Sequence, residues 1–154
     1  MANFDDAIEV TLQFEGGYVN DAADPGGETN FGISKRSYPN EDIKNLTVER
    51  AKEIYRADYW RSLYDRIDSQ AVATKLFDMG VNMGIPRAVK ILQAFLSVAV
   101  DGAFGPGTLA AVNNAGDMLL DPYKQGLAAY YRRLVAQKPE MGKFLKGWLR
   151  RVNA

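Results

Sequence analysis

The stretch FDDAIEVTLQFEGGY, which runs from residue 4 to residue 18, decides the fold that the sequence predicts. Phe4, Ile8 and Leu12 recur at helical spacing, so they share one face of a helix. Glu15 follows three residues after Leu12 and therefore continues that apolar face. Two glycines come directly after Glu15 and favour the end of the helix. The pattern predicts a first helix over about 4–15 that carries a carboxylate at its C-terminal end.

The rest of the chain predicts a mainly α protein with one small β element. The segment Asp24-Pro25-Gly26-Gly27 is typical of a tight turn, so we predict a small hairpin or an ordered loop after the first helix. Six further helices are predicted. The first runs from Thr47 to about Trp60, the second from Asp68 through FDMGV, and the third begins at Pro86. A short fourth helix ends at Asn113, the fifth spans about 117–136, and the last begins near Pro139. One compact unit is expected, with a catalytic lobe over 1–85 and a helical lobe over 86–154.

Composition limits the chemistry that this chain can perform. Its 154 residues are 47% hydrophobic and 25% charged, as in a globular protein with one sizeable core. It contains no cysteine and no histidine. Nucleophile systems that need a histidine and zinc sites built on imidazole are therefore excluded. If the chain is a hydrolase, its carboxylates are expected to transfer the protons, and no metal or organic cofactor is implied.

Charge is distributed unevenly along a chain whose formal net charge is zero. Residues 1–34 carry seven acids and no Lys or Arg, whereas residues 121–154 carry eight bases and two acids. The basic end is interpreted either as the solvated face of two helices or as a surface attracted to anionic lipid or wall polymer. Nucleic acid is not an expected partner. The first residues resemble neither a secretory signal nor a membrane span, so synthesis in the cytoplasm is expected.

Glu15 is the candidate general acid. Desolvation and the negative end of the helix dipole both disfavour a charged carboxylate at this position, so the sequence predicts a raised pKa for Glu15. A carboxylic acid that keeps its proton near neutral pH can protonate a leaving oxygen, as in glycoside hydrolysis. The following glycines leave room for a bulky ligand. The alternative is a purely structural glutamate at a helix end.

A second carboxylate is needed to activate water or to act as the nucleophile. The turn-rich segment after the first helix offers Asp21, Asp24 and Glu28, and Thr29 adds a hydroxyl that can hold a water. Asp24 has a structural alternative, because Asp is favoured at the first position of a Pro-Gly turn. The spacing leaves both interpretations of Asp24 open.

The segment EGGYVNDAADPGGETNFGIS resembles the catalytic signature of the glycosyl hydrolase 108 family of N-acetylmuramidases. The resemblance continues through Tyr59-Trp60, FDMGVNMG and LQAFLSVAVDGAFGPGT, and so covers nearly the whole chain. It implies a lysozyme-like, mostly helical fold with Glu15 as the catalytic acid. A looser similarity to phage lysozymes favours Asp24 as the second carboxylate. The interval to Thr29 is one residue shorter than in those lysozymes, so the similarity supports a role for Thr29 less strongly.

The resemblance implies cleavage of the β-1,4 bond between N-acetylmuramic acid and N-acetylglucosamine in peptidoglycan. It also implies release to the periplasm or cell wall by a holin or a secretion device, during phage lysis or bacterial secretion. The alternatives are a chitin-type glycosidase and a non-catalytic wall-binding or secretion-accessory protein. A monomer is expected.

Three further residues are candidates for binding substrate. Tyr18 lies next to the catalytic motif and can stack on a sugar ring. Asp78 and Asn82 lie in FDMGVNMG, and the resemblance favours a place for both in the cleft, although Asn82 can also cap a helix. The segment LQAFLSVAVDGAFGPGT is similar to small peptidoglycan-binding modules, but its glycines also suit a plain turn between helices.

Overall fold

The computed structural model describes residues 1–23 and 26–154, and it is mainly helical. Three short strands form one sheet after the first helix. These observations confirm the predicted mainly α fold with a small β region. The α-helices are α1 (Phe4–Phe14), α2 (Val48–Tyr59), α3 (Gln70–Met83), α4 (Ile85–Gln93), α5 (Pro106–Ala115), α6 (Leu120–Gln137) and α7 (Leu145–Asn153). The strands are β1 (Val19–Asn20), β2 (Glu28–Asn30) and β3 (Ile33–Ser34), and 3₁₀ helices span Ser62–Arg66, Gly116–Leu119 and Pro139–Phe144.

Side-chain caps fix where the long helices begin. The Asn3 side chain accepts a hydrogen bond of 2.7 Å from the backbone N–H of Asp5, so Asn3 is the N-cap of α1. The Thr47 hydroxyl caps α2 in the same way, as its position predicts. Ser69 caps α3, so this helix begins at Gln70 rather than at Asp68.

The last helix begins later than the sequence indicates. Pro139–Phe144 forms a 3₁₀ helix, and regular α-helix starts only at Leu145. Gly142 lies inside the 3₁₀ segment and is a poor α-helix former, which is consistent with the tighter local turn. The apolar periodicity that starts near Met141 therefore spans two kinds of helix.

The sheet is an antiparallel meander in the order β1-β2-β3 rather than a single hairpin. Thr29 on β2 pairs with Val19 on β1 and with Ser34 on β3. The β2–β3 connection is the pair Phe31-Gly32, with φ angles of 53° and 79°. Positive φ at both central residues is the requirement of a type I′ hairpin turn. The predicted turn at Asp24-Pro25 lies outside the described residues.

Helix α3 is the centre of the core and packs against both α1 and α4. An aromatic cluster joins these elements, with ring centroids of Phe4 and Phe77 5.6 Å apart and those of Phe4 and Trp60 also 5.6 Å apart. Helix α7 packs on α6. Within the described ranges, no helix has the length and apolar character needed to cross a membrane.

Candidate active site

Glu15 lies immediately after the last residue of α1. Its backbone is extended, with φ −83° and ψ 130°, and its N–H still donates to the carbonyl of Thr11 at 3.1 Å. The Glu15 side chain is 20% exposed, so it is neither buried in the core nor free in solvent. The chain thus presents a carboxylate at the C-terminal end of α1, as the sequence predicts.

The type I′ turn of the sheet lies directly against this carboxylate. Phe31 donates its N–H to the carbonyl of Gly16 at 3.0 Å, which holds the turn beside the end of α1. The Tyr55 hydroxyl donates to the carbonyl of Phe31 at 2.7 Å. Burial, together with the nearby Glu15 carboxylate, raises the pKa of Tyr55, so this hydroxyl keeps its proton and the bond. Strand β2, α2 and α1 are therefore linked around Glu15.

Only glycine fits at position 32. A Cβ on Gly32 would lie 2.4 Å from Oε2 of Glu15 and 2.6 Å from the Tyr55 hydroxyl oxygen. The residue also has φ +79°, a conformation that side chains with a Cβ rarely adopt. Gly32 therefore allows the positive φ of the turn, and its lack of a Cβ allows Oε2 of Glu15 to pack against it.

Replacing Gly32 with Ala should displace the Glu15 carboxylate as well as strain the turn. We expect an activity loss of about 100-fold, the scale of a displacement of about 1 Å at a reacting group. Gly27→Ala is the matched control, because Gly27 also has positive φ (+72°) but a Cβ there meets nothing within 4 Å. Both variants should lose about 1–2 kcal/mol of unfolding free energy to backbone strain. Thermal melts and cell-wall digestion rates measure the two effects, and equal activity of the two folded variants would contradict this assignment.

Arg151 of α7 contacts the candidate acid directly. Its Nη1 donates to Oε1 of Glu15 at 3.1 Å, and its guanidinium lies 5.3 Å from the centre of the Phe14 ring. Arg151 is only 7% exposed. The basic end of the chain is thus not entirely a solvated face, and the interpretation of Arg151 as a surface cation is wrong.

Asp78 pairs with the Arg151 guanidinium in the protein core. Its Oδ1 accepts from Arg151 Nη2 at 2.8 Å and its Oδ2 from Arg151 Nε at 3.0 Å, which is a bidentate pair. The Thr11 hydroxyl also donates to Oδ1, at 2.8 Å. Asp78 has no exposed surface, and both of its oxygens are occupied by these partners. This corrects the prediction that Asp78 lines the substrate cleft, because a fully buried carboxylate cannot reach a sugar.

Asn82 lies one helical turn after Asp78 and connects Arg151 to an aromatic pair. Its Oδ1 accepts from Arg151 Nη1 at 3.4 Å, and its amide nitrogen donates to the Tyr131 hydroxyl. The Tyr131 ring stacks on Trp148, with centroids 4.7 Å apart and an interplanar angle of 22°. Asn82 is partly exposed and lines a groove, so its predicted role in binding substrate stays a prediction.

The sheet carries the other predicted site residues. Tyr18 is 40% exposed, and its hydroxyl donates to Oε2 of Glu28 at 2.7 Å. Asp21 accepts from the backbone N–H of Ala23 at 2.9 Å, as in a local turn. Thr29 is half-buried in the central strand. Asp24 lies outside the described residues, so its predicted role is untested.

A groove of about 530 Å³ adjoins the Arg151–Glu15 pair. It is lined by Phe14 of α1, Asn82 of α3 and Arg151, together with residues from the last 3₁₀ helix and α7. Glu15 itself does not line the groove, but its chain neighbour Phe14 and its ion-pair partner Arg151 do. In the part of the chain that the structure describes, no three acidic side chains converge as a metal site would require.

Comparison with known proteins places this geometry in a family. The model of the family described as "Glycosyl hydrolase 108" matches residues 8–84, which is half of the chain. The chain belongs to the glycosyl hydrolase 108 family. A second family model, described as "Predicted Peptidoglycan domain", matches residues 87–153. Curated protein sequences give no significant match.

A solved structure supports the same placement for this glycosyl hydrolase 108 protein. The structure of SagA from Brucella abortus is 32% identical, with a TM-score of 0.79, and the alignment covers 97% of this chain and 89% of that chain. The family resemblance is therefore confirmed, and the fold is lysozyme-like and mainly α with a small β region. The family also supports glycoside hydrolase activity in coarse terms, and the second model supports contact with peptidoglycan.

Lys75 is a buried cation behind the site of this family member. Its Nζ donates to the carbonyl of Arg151 at 2.8 Å, and the residue is 3% exposed. Burial is the main cause that lowers the pKa of Lys75 from 10.5 to about 8. The positive charges of Lys124 and Arg151 lower it further, whereas the negative charge of Asp78 raises it. Lys75 therefore ties α3 to the last turn of α7, where Arg151 begins its reach to Glu15.

The lowered pKa of Lys75 predicts a pH-dependent stability. Between about pH 8 and pH 10.5 the unfolded chain binds more protons at Lys75 than the folded chain, so this residue makes stability rise with pH. Below pH 8 both states are protonated, and the full cost of burying the charge is present. The melting temperature of Lys75→Met relative to that of the wild type should therefore be higher at pH 7 than at pH 9.5. The same difference at both pH values would contradict the buried charge.

Proposed function

We propose that this protein is a peptidoglycan hydrolase that cleaves the β-1,4 bond between N-acetylmuramic acid and N-acetylglucosamine. The observation that carries the proposal is the partly exposed Glu15 carboxylate, which accepts from Arg151 with one oxygen and packs against Gly32 with the other. Membership of the glycosyl hydrolase 108 family supports a glycosidic bond as the target. The match of residues 87–153 to the peptidoglycan domain model favours the same polymer.

Glu15 acts as the general acid in this proposal. Because Oε1 accepts from Arg151, the proton of the acid form lies on Oε2, the oxygen that packs against Gly32. Oε2 donates this proton to the glycosidic oxygen as the bond to the anomeric carbon breaks. The carboxylate that remains is then stabilised by the Arg151 guanidinium, which is already in place. Asp78 and Thr11 position the guanidinium.

Asp24 is proposed as the second carboxylate. It either activates the attacking water or stabilises the oxocarbenium-like transition state, as the resemblance to phage lysozymes implies. Among the described acids of this segment, Asp21 caps a local turn and Glu28 holds Tyr18, so both already have structural partners. Phage lysis and muramidase-dependent secretion are the two proposed settings for the activity.

Digestion of two polymers side by side tests the proposed substrate class. Purified sacculi and chitin oligomers are incubated with the protein, and soluble products are followed by mass spectrometry. Disaccharide-peptide products from sacculi, with little cleavage of chitin, are expected. Preferential cleavage of chitin would instead support a chitin-type glycosidase, and binding to sacculi without any product would support a non-catalytic wall-binding protein.

A further inference from the structure

The groove next to Glu15 has a strongly basic lining. Lys143, Lys146 and Arg150 are exposed at its edge, and Arg151 lies within it. None of the described lining residues is acidic. Arg151 is neutralised by Asp78 and Glu15, whereas within 1–23 and 26–154 no carboxylate pairs with the other three cations. The groove therefore presents three positive charges that lack a counter-ion from these ranges.

Aromatic side chains give the same groove a firm apolar wall. Trp148 is stacked on Tyr131, and Asn82 holds the Tyr131 hydroxyl, so the position of the indole is fixed. Phe144 is 45% exposed, and its ring centroid lies 5.6 Å from that of Trp148. The Lys143 ammonium lies 5.1 Å from the centre of the Phe144 ring. Fixed aromatic faces beside free cations suit a ligand that has both methyl groups and carboxylates.

The position of the groove restricts the identity of this ligand. Two of its lining residues are the chain neighbour of Glu15, Phe14, and its ion-pair partner, Arg151, so a polymer bound at Glu15 is within reach of the groove. The glycan backbone itself is rich in neutral hydroxyl and acetamido groups and gives three cations no counter-charge. Each muramic acid, however, carries a lactyl-linked stem peptide with alanine methyl groups and free carboxylates. An anionic lipid surface is a poorer fit, because a concave groove cannot lie flat on a bilayer.

We propose that this groove binds the carboxylate-bearing stem peptide of peptidoglycan while the attached glycan lies at Glu15. Lys143, Lys146 and Arg150 pair with the peptide carboxylates, and the Phe144–Trp148 wall contacts its apolar groups. The inference rests on the proposed function and specifies the substrate: peptide-bearing strands are preferred over strands stripped of peptide. It also assigns a role to the basic end of the chain that does not involve lipid.

The test compares one groove variant with one control variant on two substrates. The groove variant is Lys143→Gln/Lys146→Gln/Arg150→Gln. The control is Lys44→Gln/Arg61→Gln/Arg66→Gln, which removes the same net charge at exposed positions outside the groove. The substrates are soluble glycan strands that carry stem peptides, released from sacculi by an endopeptidase, and the same strands after an amidase has removed the peptides and the exposed lactyl carboxylates have been converted to methyl amides. Cleavage rate and the affinity measured by calorimetry are compared for each pair at low and high salt.

We expect the groove variant to lose about tenfold in kcat/KM on peptide-bearing strands, the size of a few exposed charge contacts. This loss should shrink at high salt, and cleavage of peptide-free strands should be unchanged. The control variant should match the wild type on both substrates. A comparable loss on both substrates, or the same loss in the control, would overturn the proposal.

The two proposals fail in different ways. If the wild type cleaves neither substrate but its binding depends on the peptide and on the groove cations, the hydrolase is refuted and the groove assignment is supported. If the groove variant digests sacculi like the wild type and instead loses binding to vesicles that contain phosphatidylglycerol, the groove is a lipid contact. That last result would refute the stem-peptide assignment alone.

Discussion

Glu15→Gln is expected to lower the rate of muropeptide release by about 10² to 10⁴, the usual contribution of a general acid. Gln has the shape of Glu and can still accept the hydrogen bond from Arg151 at 3.1 Å, but it has no acid proton to give. The fold should survive, because Arg151 remains paired with Asp78 through two hydrogen bonds. Release of soluble fragments from sacculi and a thermal melt on the same preparation measure both expectations.

Glu9→Gln is the matched control for this substitution. Glu9 is on the same helix and pairs with Lys52 at 2.9 Å, but its side chain is 63% exposed. Surface pairs of this kind contribute little to stability, so activity and melting temperature should both stay close to those of the wild type. A structural Glu15 would show the reverse of the expected pattern, with a lower melting temperature and normal activity in the folded fraction.

Arg151→Met is expected to have the largest effect on stability. It leaves the fully buried Asp78 carboxylate with the Thr11 hydroxyl as the one partner that remains from the present network. Breaking a buried ion pair by removing one partner costs about 3–5 kcal/mol. The same change removes the cation that positions Glu15, so activity should also fall. Denaturant unfolding gives the first quantity, and digestion of sacculi gives the second.

A double variant separates the structural role of Arg151 from its role at Glu15. Asp78→Leu/Arg151→Met replaces the whole buried pair with apolar groups, which is often neutral or stabilising. Stability should therefore recover toward the wild-type value, while activity stays low because Glu15 has lost its partner. Recovery of activity together with stability would contradict a positioning role for Arg151. Arg133→Gln, an exposed arginine on α6, is the control and should change neither quantity appreciably.

The fold could be predicted largely from local signals. The helix start at Thr47 and the apolar spacing that begins at Phe4 each depend on a few neighbouring residues, and the structure confirms both. The start of α7 was misplaced, because 3₁₀ and α-helices have similar apolar spacing over one or two turns. The third strand was missed for a different reason. Its turn depends on positive φ at Phe31, a residue that rarely adopts it.

The candidate site could be predicted only in part. Glu15 was recognised because it continues an apolar face and precedes two glycines, which are neighbours in sequence. Its partner Arg151 is 136 residues away, and sequence spacing alone does not bring two such residues together. Helical spacing nevertheless gives a signal for Arg151, because it follows Trp148 by three residues and so shares a face of α7 with it. The next residue, Val152, is also buried.

Asp78 illustrates the opposite error. Its place in FDMGVNMG is apolar on both sides, and an acid in such a run is either functional or paired inside the core. The family resemblance favoured the cleft. The structure places Asp78 in the core because Arg151 and Thr11 supply the donors that make its burial tolerable.

Protonation by Glu15 of the oxygen that links C1 of muramic acid to N-acetylglucosamine would leave muramic acid at the new reducing end. Reduction of the digestion products with borohydride, followed by mass spectrometry, tests it most directly, because only the newly formed reducing end is converted to an alditol. Muramitol ends are expected in the wild-type digest, and almost none in a digest with an equal amount of folded Glu15→Gln protein. Glucosaminitol ends from the wild type, or undiminished muramitol from Glu15→Gln, would contradict it.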